Sequence, residues 1–304
     1  MSSLVNLFLP TEKILYNGIR DKSFVDLISN IFLKANILPK YIRILLSNEN
    51  INKYNIAFTS KTFDIDNNFE VFEQLGDVSA NKFIVWYMYK RFPFLMVPDG
   101  VKVVARLRIN YSAKQHFYEF GNKLGFWPYI SASEDERSKR MKPLIEDVFE
   151  AFLGCTEYIL DNEFRPGVGY AIVHDILSSI FDSIDISLEY NKLYDAKTRL
   201  KELFDSHNLI NDMITKYGSL KQNTQRFIDY DNKFGQIQYV DSYTEDEKRV
   251  SKVIYKTKKH GEIILGTGYA NLKQDAQQYA AENALNTLKL NGIEKEIPNF
   301  YKKI

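Results

Sequence analysis

The sequence predicts a mostly helical domain followed by a small α+β domain of helix, three strands and helix. Three observations carry this reading. From Asp21 to about Leu177 the apolar residues recur at three- and four-residue spacing, as in FVDLISNIFL, FIVWYMYKRF and VFEAFLGCTEYIL. That stripe breaks after about residue 180, in DSIDISLEYNKLYD at 182–195. Beyond it, β-type runs at about 235–243, 250–258 and 262–269 lead into an amphipathic stretch, LKQDAQQYAAENALNTLKL at 272–290.

Taken in order, residues 1–45 read as an N-terminal helical extension, either an extra layer or a partner surface. Residues 46–185 form the main helical domain, punctuated by Pro93, Pro98, Gly100, Gly121, Pro128 and the RPGVG segment at 165–169. The second domain spans 193–290 and opens on the helical pattern DAKTRLKELFDSH. Within it, 208–234 fits neither period and reads as an insertion, and 291–304 is a tail. A chain of 304 residues is long enough for two domains, each burying its own core.

Composition narrows the function. A hydrophobic fraction of 45% describes a soluble globular protein. The N-terminus MSSLVNLFLPTEK lacks a basic flank with a long apolar core, and no run of about 18 apolar residues occurs, so no membrane attachment is expected. Cys155 is the single cysteine, which excludes an internal disulfide and a thiolate zinc site and agrees with an intracellular, cytoplasmic location. The net charge of +1 argues against nucleic-acid binding as the sole function, although KRVSKVIYKTKKH at 248–260 forms either a local basic stripe or a solvated strand edge. Glycine-rich phosphate loops and Ser-His-Asp arrangements are not evident, and the histidines at 116, 174, 207 and 260 stand at no useful spacing from acids. No small-molecule cofactor is expected.

The chemistry concentrates in two short stretches, EVFEQLGD at 70–77 and EDVFEAFLG at 146–154. Glu73 and Asp77 are four apart and Asp147 and Glu150 three apart, so each pair projects from one helix face. Taken alone, such pairs more often lie on a solvated face. If the two faces meet, four carboxylates converge among Val71, Phe72, Leu75, Val148, Phe149 and Phe152, and like charges in that setting call for a divalent cation. Oxygen ligands without matching His or Cys point to Mg²⁺ or Mn²⁺ rather than zinc. Gly76 and Gly154 would let the helices approach closely enough to share it.

These stretches resemble the ribonuclease III family. FEVFEQLGD is similar to its N-E-R-L-E-F-L-G-D pattern, Ala57-Phe58-Thr59-Ser60 to A-[LF]-T-H-x-S, LGFWPYI at 124–130 to L-G-L-x-x-Y-I, and EDVFEAFLG to A-D-x-F-E-A-[FL]-[IL]-G. KTRLKEL at 197–203 and GYANLKQDAQQYAAENAL at 268–285 resemble the start and end of a double-stranded-RNA-binding domain. The resemblance covers most of 55–290 and implies a ribonuclease III endonuclease domain followed by an α-β-β-β-α RNA-binding-like domain. It implies Glu73, Asp77, Asp147 and Glu150 as catalytic and metal-site acids, with Asp77 and Glu150 the most direct ligands. It also implies a homodimer, double-stranded RNA as substrate, products with 5′-phosphate and 3′-hydroxyl ends, and RNA contacts at Thr198, Glu202 and Lys273.

Departures from the pattern are specific. Gln74 stands where an aromatic residue usually plugs the partner subunit, Val78 where a small or polar residue is usual, and Ser60 where histidine is common. In the small domain Leu272 and Gln274 flank Lys273 where the family places Ser/Thr and a second lysine, and the loop between the first two strands reads TEDEK at 244–248, acidic and without histidine. An anionic loop facing phosphates repels them. The alternative reading is therefore a non-catalytic scaffold of the same fold that binds RNA or assembles an RNA-processing complex.

Overall fold

The computed structural model describes residues 13–111, 114–206, 209–230 and 233–302. The chain divides into two compact units between Ile186 and Ser187. His207 and the first twelve residues of the N-terminal extension lie outside the described residues.

The first unit is helical, with one two-stranded pairing. Its elements are β1 (Leu15–Tyr16), α1 (Lys22–Lys34), α2 (Pro39–Leu45), α3 (Asn48–Ala57), α4 (Glu70–Arg91), α5 (Gly100–Tyr111), α6 (Lys114–Leu124), β2 (Ala132–Ser133), α7 (Glu134–Lys139), α8 (Met141–Glu163) and α9 (Val168–Phe181). Helix α8 is the axis of the unit. Every residue from Leu144 to Thr156 is buried, an all-round burial that only a helix wrapped on each side by others can show. Phe149 and Phe152 sit in a cluster with Phe32, Tyr54, Phe117, Phe120 and Phe126. The N-terminal helix α1 joins this core through Phe24, Ile28 and Phe32, so it is an integral layer. Its start is fixed by Asp21, whose carboxylate accepts the backbone N–H of Ser23 at 2.8 Å.

Strands β1 and β2 pair antiparallel, Leu15 opposite Ser133 and Tyr16 opposite Ala132. Buried Arg137 secures this link. Its guanidinium lies 3.8 Å from the Tyr16 ring and 3.7 Å from the Trp127 ring, and it donates to the Ile130 carbonyl at 2.7 Å.

The second unit contains α10 (Tyr190–Leu193), α11 (Ala196–Asp205), α12 (Leu209–Tyr217), α13 (Gln222–Gln225), β3 (Gln236–Tyr243), β4 (Arg249–Thr257), β5 (Gly261–Ala270) and α14 (Lys273–Leu290). The strands form an antiparallel sheet in the order β3-β4-β5, with a bulge at Val253/Ile254. Odd-numbered residues of β4 (Ser251, Val253, Tyr255) are buried, while Lys252 and Lys256 lie on the more open face, so the basic run follows the alternation of a half-buried strand. Ala276, Ala280, Ala281 and Ala284 form the small-residue stripe by which α14 packs. Tyr279 stands outside that stripe, 56% exposed.

The segment 208–234 departs from the expectation of an insertion without a period. Its described residues form α12 and α13, and Leu209, Met213 and Phe227 belong to the same core as Val253, Tyr255 and Leu288. Its apolar residues are spread over two short helices and a turn, too short for a periodic stripe to stand out.

Candidate active site

Helices α4 and α8 cross with their backbones in contact. A Cβ on Gly76 would lie 1.8 Å from the Glu150 carbonyl oxygen, and one on Gly154 would lie 2.0 Å from the Phe72 carbonyl oxygen. No other residue fits at either position, so two glycines that weaken isolated helices set the distance between these two.

The crossing gathers carboxylates. Glu73 and Asp77 come from α4, and Glu146, Asp147 and Glu150 from α8. Glu146, Asp147 and Glu150 are all buried, whereas Asp77 is exposed. Burial, followed by the negative charges of Asp77, Glu146, Glu73 and Asp147, pushes the Glu150 carboxyl up to about 9. Glu73, Asp77 and Asp147, singled out in the sequence with Glu150, thus all lie within electrostatic reach of Glu150.

Among the described residues, no three acidic, histidine or cysteine side chains stand close enough to encage an ion. Two of the acids have polar partners within the unit. Asp77 accepts from Asn81 Nδ2 at 2.8 Å, and Asp147 Oδ2 lies 3.9 Å from Arg140 Nη2. The donor set, all carboxylate oxygen with one carboxyl driven toward its neutral form by burial and then by its acidic neighbours, is of the type that suits a hard divalent cation.

The surroundings differ from the apolar enclosure expected. Phe72, Val148, Phe149 and Phe152 are buried, but Val71 and Leu75 are 68% and 42% exposed. Together with Val78 and Gln74 they form an outward face of α4. Glu70 lies away from the cluster, in an exposed ion pair with Lys61 at 2.5 Å.

Sequence reasoning missed Glu146, Glu136 and Arg140. Glu146 occupies the position where the family pattern carries alanine, and that substitution was its available signal. Glu136 and Arg140, on α7 and at the α7–α8 junction, form an ion pair at 3.1 Å beside Asp147.

In the second unit, Thr198, Glu202 and Lys273 are each engaged within that unit. Thr198 Oγ1 donates to Asp195 at 2.6 Å in the N-cap of α11, Glu202 pairs with Lys295 at 3.0 Å, and Lys273 pairs with Asp241 at 2.9 Å. The acidic loop 244–248 is the β3–β4 hairpin turn, with Glu247 at φ 59.

No family model matches the chain. A protein of Invertebrate iridescent virus 6, provisionally named ribonuclease 3, is 41% identical over 303 residues, 95% of this chain and 95% of that one. A provisionally named ribonuclease 3 of Frog virus 3 is 41% identical over 175 residues, 57% of this chain and 47% of that one. Ribonuclease 3 of Lactobacillus johnsonii is 28% identical over 180 residues, 57% of this chain and 73% of that one. Among solved structures, the nuclease domain of ribonuclease III from Campylobacter jejuni aligns with a TM-score of 0.40 and 21% identity, covering 52% of this chain and 99% of that one.

The fold is a helical unit with an acidic centre, followed in the chain by a small α+β unit. The chain belongs to the ribonuclease III family and is a ribonuclease of that type. No helix among the described residues is long and apolar enough to cross a membrane.

Proposed function

We propose that this chain is a Mg²⁺-dependent endoribonuclease of double-stranded RNA, with Mn²⁺ able to replace Mg²⁺, leaving 5′-phosphate and 3′-hydroxyl ends. The observation that carries the proposal is the glycine-to-glycine crossing of α4 and α8, which surrounds Glu150 with like charge. Asp77 and Glu150 are the direct ligands in this reading, and Glu73 and Asp147 complete the shell or orient water. When bound, the cation supplies a hydroxide-like nucleophile and stabilises the leaving 3′ oxygen. The protein holds the carboxylates in place, and α8, rigid in the core, fixes two of them against α4.

A homodimer is part of the proposal. Val71, Leu75 and Val78 are large apolar residues left on the outward face of α4, beside the acids, which is what a partner surface requires. Cytoplasmic residence is also part of it, supported by the single buried cysteine. The intramolecular pairing of Thr198, Glu202 and Lys273 favours a small domain that adds little grip on RNA.

The test is incubation of the purified protein with long duplex RNA and Mg²⁺, beside Glu150→Ala. Mg²⁺-dependent fragments with 5′-phosphates from the wild type alone are expected. RNA binding without any Mg²⁺-dependent difference between the two proteins would leave the scaffold reading in its place. Light scattering at micromolar concentration is expected to give twice the chain mass, and Leu75→Arg the single mass.

A further inference from the structure

The partner of Lys273 in the small unit is held by more than one donor. Strand β3 alternates, with Ile237 and Tyr239 packed onto the core of the unit and Gln236, Gln238 and Val240 exposed. The same period turns Asp241 to the inner side of the sheet, where α14 lies. There two residues one helical turn apart converge on its carboxylate. Lys273 Nζ stands 2.9 Å from Oδ2, and Gln277 Nε2 donates at 3.0 Å to Oδ2 and at 3.2 Å to Oδ1.

A third residue, from another helix, orients the second donor. Lys197, on α11, donates from Nζ to Gln277 Oε1 at 2.6 Å, which leaves the amide NH₂ to face Asp241. The Lys197 ammonium also lies 5.2 Å from the centroid of the Tyr239 ring, which keeps it near β3. Two lysines and an oriented amide thus form one array, and a carboxylate of the same chain fills it. The array opens to solvent on the lysine side, since the Lys273 side chain is 61% exposed and that of Asp241 26%.

A carboxylate and a phosphodiester present the same feature to such an array, two oxygens sharing a negative charge, and lysine and glutamine side chains are common donors to backbone phosphates. On the reading of this chain as a protein that acts on double-stranded RNA, we propose that Lys273, Gln277 and Lys197 form a site for one backbone phosphate, and that Asp241 occupies it as an internal substitute. With Asp241 in place, the Lys273 charge is cancelled and an approaching phosphate meets a like charge beside it. Asp241 therefore holds the small unit in a state of low affinity for RNA.

A plug and a diffuse negative charge differ in one respect. The plug acts through Lys273, so removing Asp241 matters only while that lysine is present. A diffuse charge repels RNA whether or not Lys273 is present.

The experiment is binding of a labelled duplex RNA by the full chain in EDTA, across a salt series, for the wild type, Asp241→Asn, Lys273→Ala and the double variant. Asp241→Asn keeps the shape of the side chain and removes its charge. It is expected to tighten binding about two- to fivefold, the range that freeing one exposed ion-pair partner spans. The dependence of log K on log salt is expected to steepen by about 1, for one added phosphate contact. The double variant is expected to return to within about twofold of Lys273→Ala. Asp241→Ser repeats the test without an amide that could bond Lys273, and the same gain is expected. Unchanged or weaker binding by both neutral variants, with melting temperatures intact, would overturn the plug. A gain that persists in the double variant would also overturn it, in favour of a diffuse charge effect. Mg²⁺-dependent cleavage of the same duplex by the wild type would leave the proposed function standing beside either of those results, whereas neither binding nor cleavage by any of the proteins would overturn both.

Discussion

The two units handle their polar side chains in opposite ways. At the α4–α8 crossing, the leading electrostatic neighbours of Glu150 are all acids, and burial adds to their repulsion. In the small unit, the positions where RNA contact was expected are satisfied internally: Lys273 by Asp241, Glu202 by Lys295, and Thr198 by Asp195. A buried carboxyl set among other acids holds its proton tightly, whereas polar groups that already pair with each other have little left for a ligand. In the proposed function the chemistry falls to the first unit and the second adds little to binding.

The comparison breaks most sharply at Glu150. Replacing it with alanine is expected to reduce cleavage of duplex RNA by about 10³-fold or more, equivalent to ~4 kcal/mol of lost transition-state stabilisation, measured under single-turnover conditions. An effect below about tenfold would move the chemistry elsewhere.

Next in size is the crossing itself. Gly76→Ala drives a methyl into the Glu150 carbonyl, and overpacking at a contact that backbone alone forms is expected to cost about 3 kcal/mol of stability in urea unfolding. Gly125→Ala, at a glycine with open space around it and φ +85, is the control for backbone strain without a clash and is expected to cost less.

The third prediction concerns pH. The Glu150 carboxyl, raised to about 9 in the folded chain, binds its proton more tightly there than when unfolded. Its contribution to stability is therefore full below about pH 4, the usual carboxyl range, and is lost as pH rises toward 9. In EDTA the melting temperature is expected to fall across that window. Glu150→Gln is expected to flatten the fall and melt several degrees higher near pH 8, at roughly 2–4 °C per kcal/mol for a chain of this size. Saturating Mg²⁺ is expected to remove the difference for the wild type. A pH-independent melting temperature in EDTA would contradict the buried, repelled state of this carboxyl.

The smallest effect belongs to the small unit. Lys273→Ala in the full chain is expected to change RNA affinity by less than about twofold and the salt slope by less than 1, since its charge is already met by Asp241. A large loss would show that the Lys273–Asp241 pair opens to take phosphate and would erase the contrast between the units.

Much of this was legible in the residues. The three strands and last helix of the small unit follow the period of their apolar residues to within a residue or two, because a half-buried sheet and a helix lying on it force that alternation. The acid pairs were visible because three- and four-residue spacing fixes a shared face, and Gly76 and Gly154 because a glycine inside a helix needs a reason. What was hidden depends on tertiary context. Glu146 looks like any helical acid until α8 is known to be buried on all sides, and Val71 and Leu75 look like core until the rotation of α4 is fixed. Glu136 and Arg140 stand at ordinary i,i+4 spacing, but the approach of Arg140 to Asp147 across the α7–α8 junction follows no periodicity, and α12 and α13 are too short to announce themselves.

The central claim is that acids from α4 and α8 share a divalent cation, and crystallography of the Mn²⁺-soaked protein at the manganese absorption edge tests it most directly. An anomalous peak is expected between Asp77 and Glu150, with Glu73 and Asp147 drawn inward. Manganese elsewhere, or no peak at a concentration that supports cleavage, would contradict it.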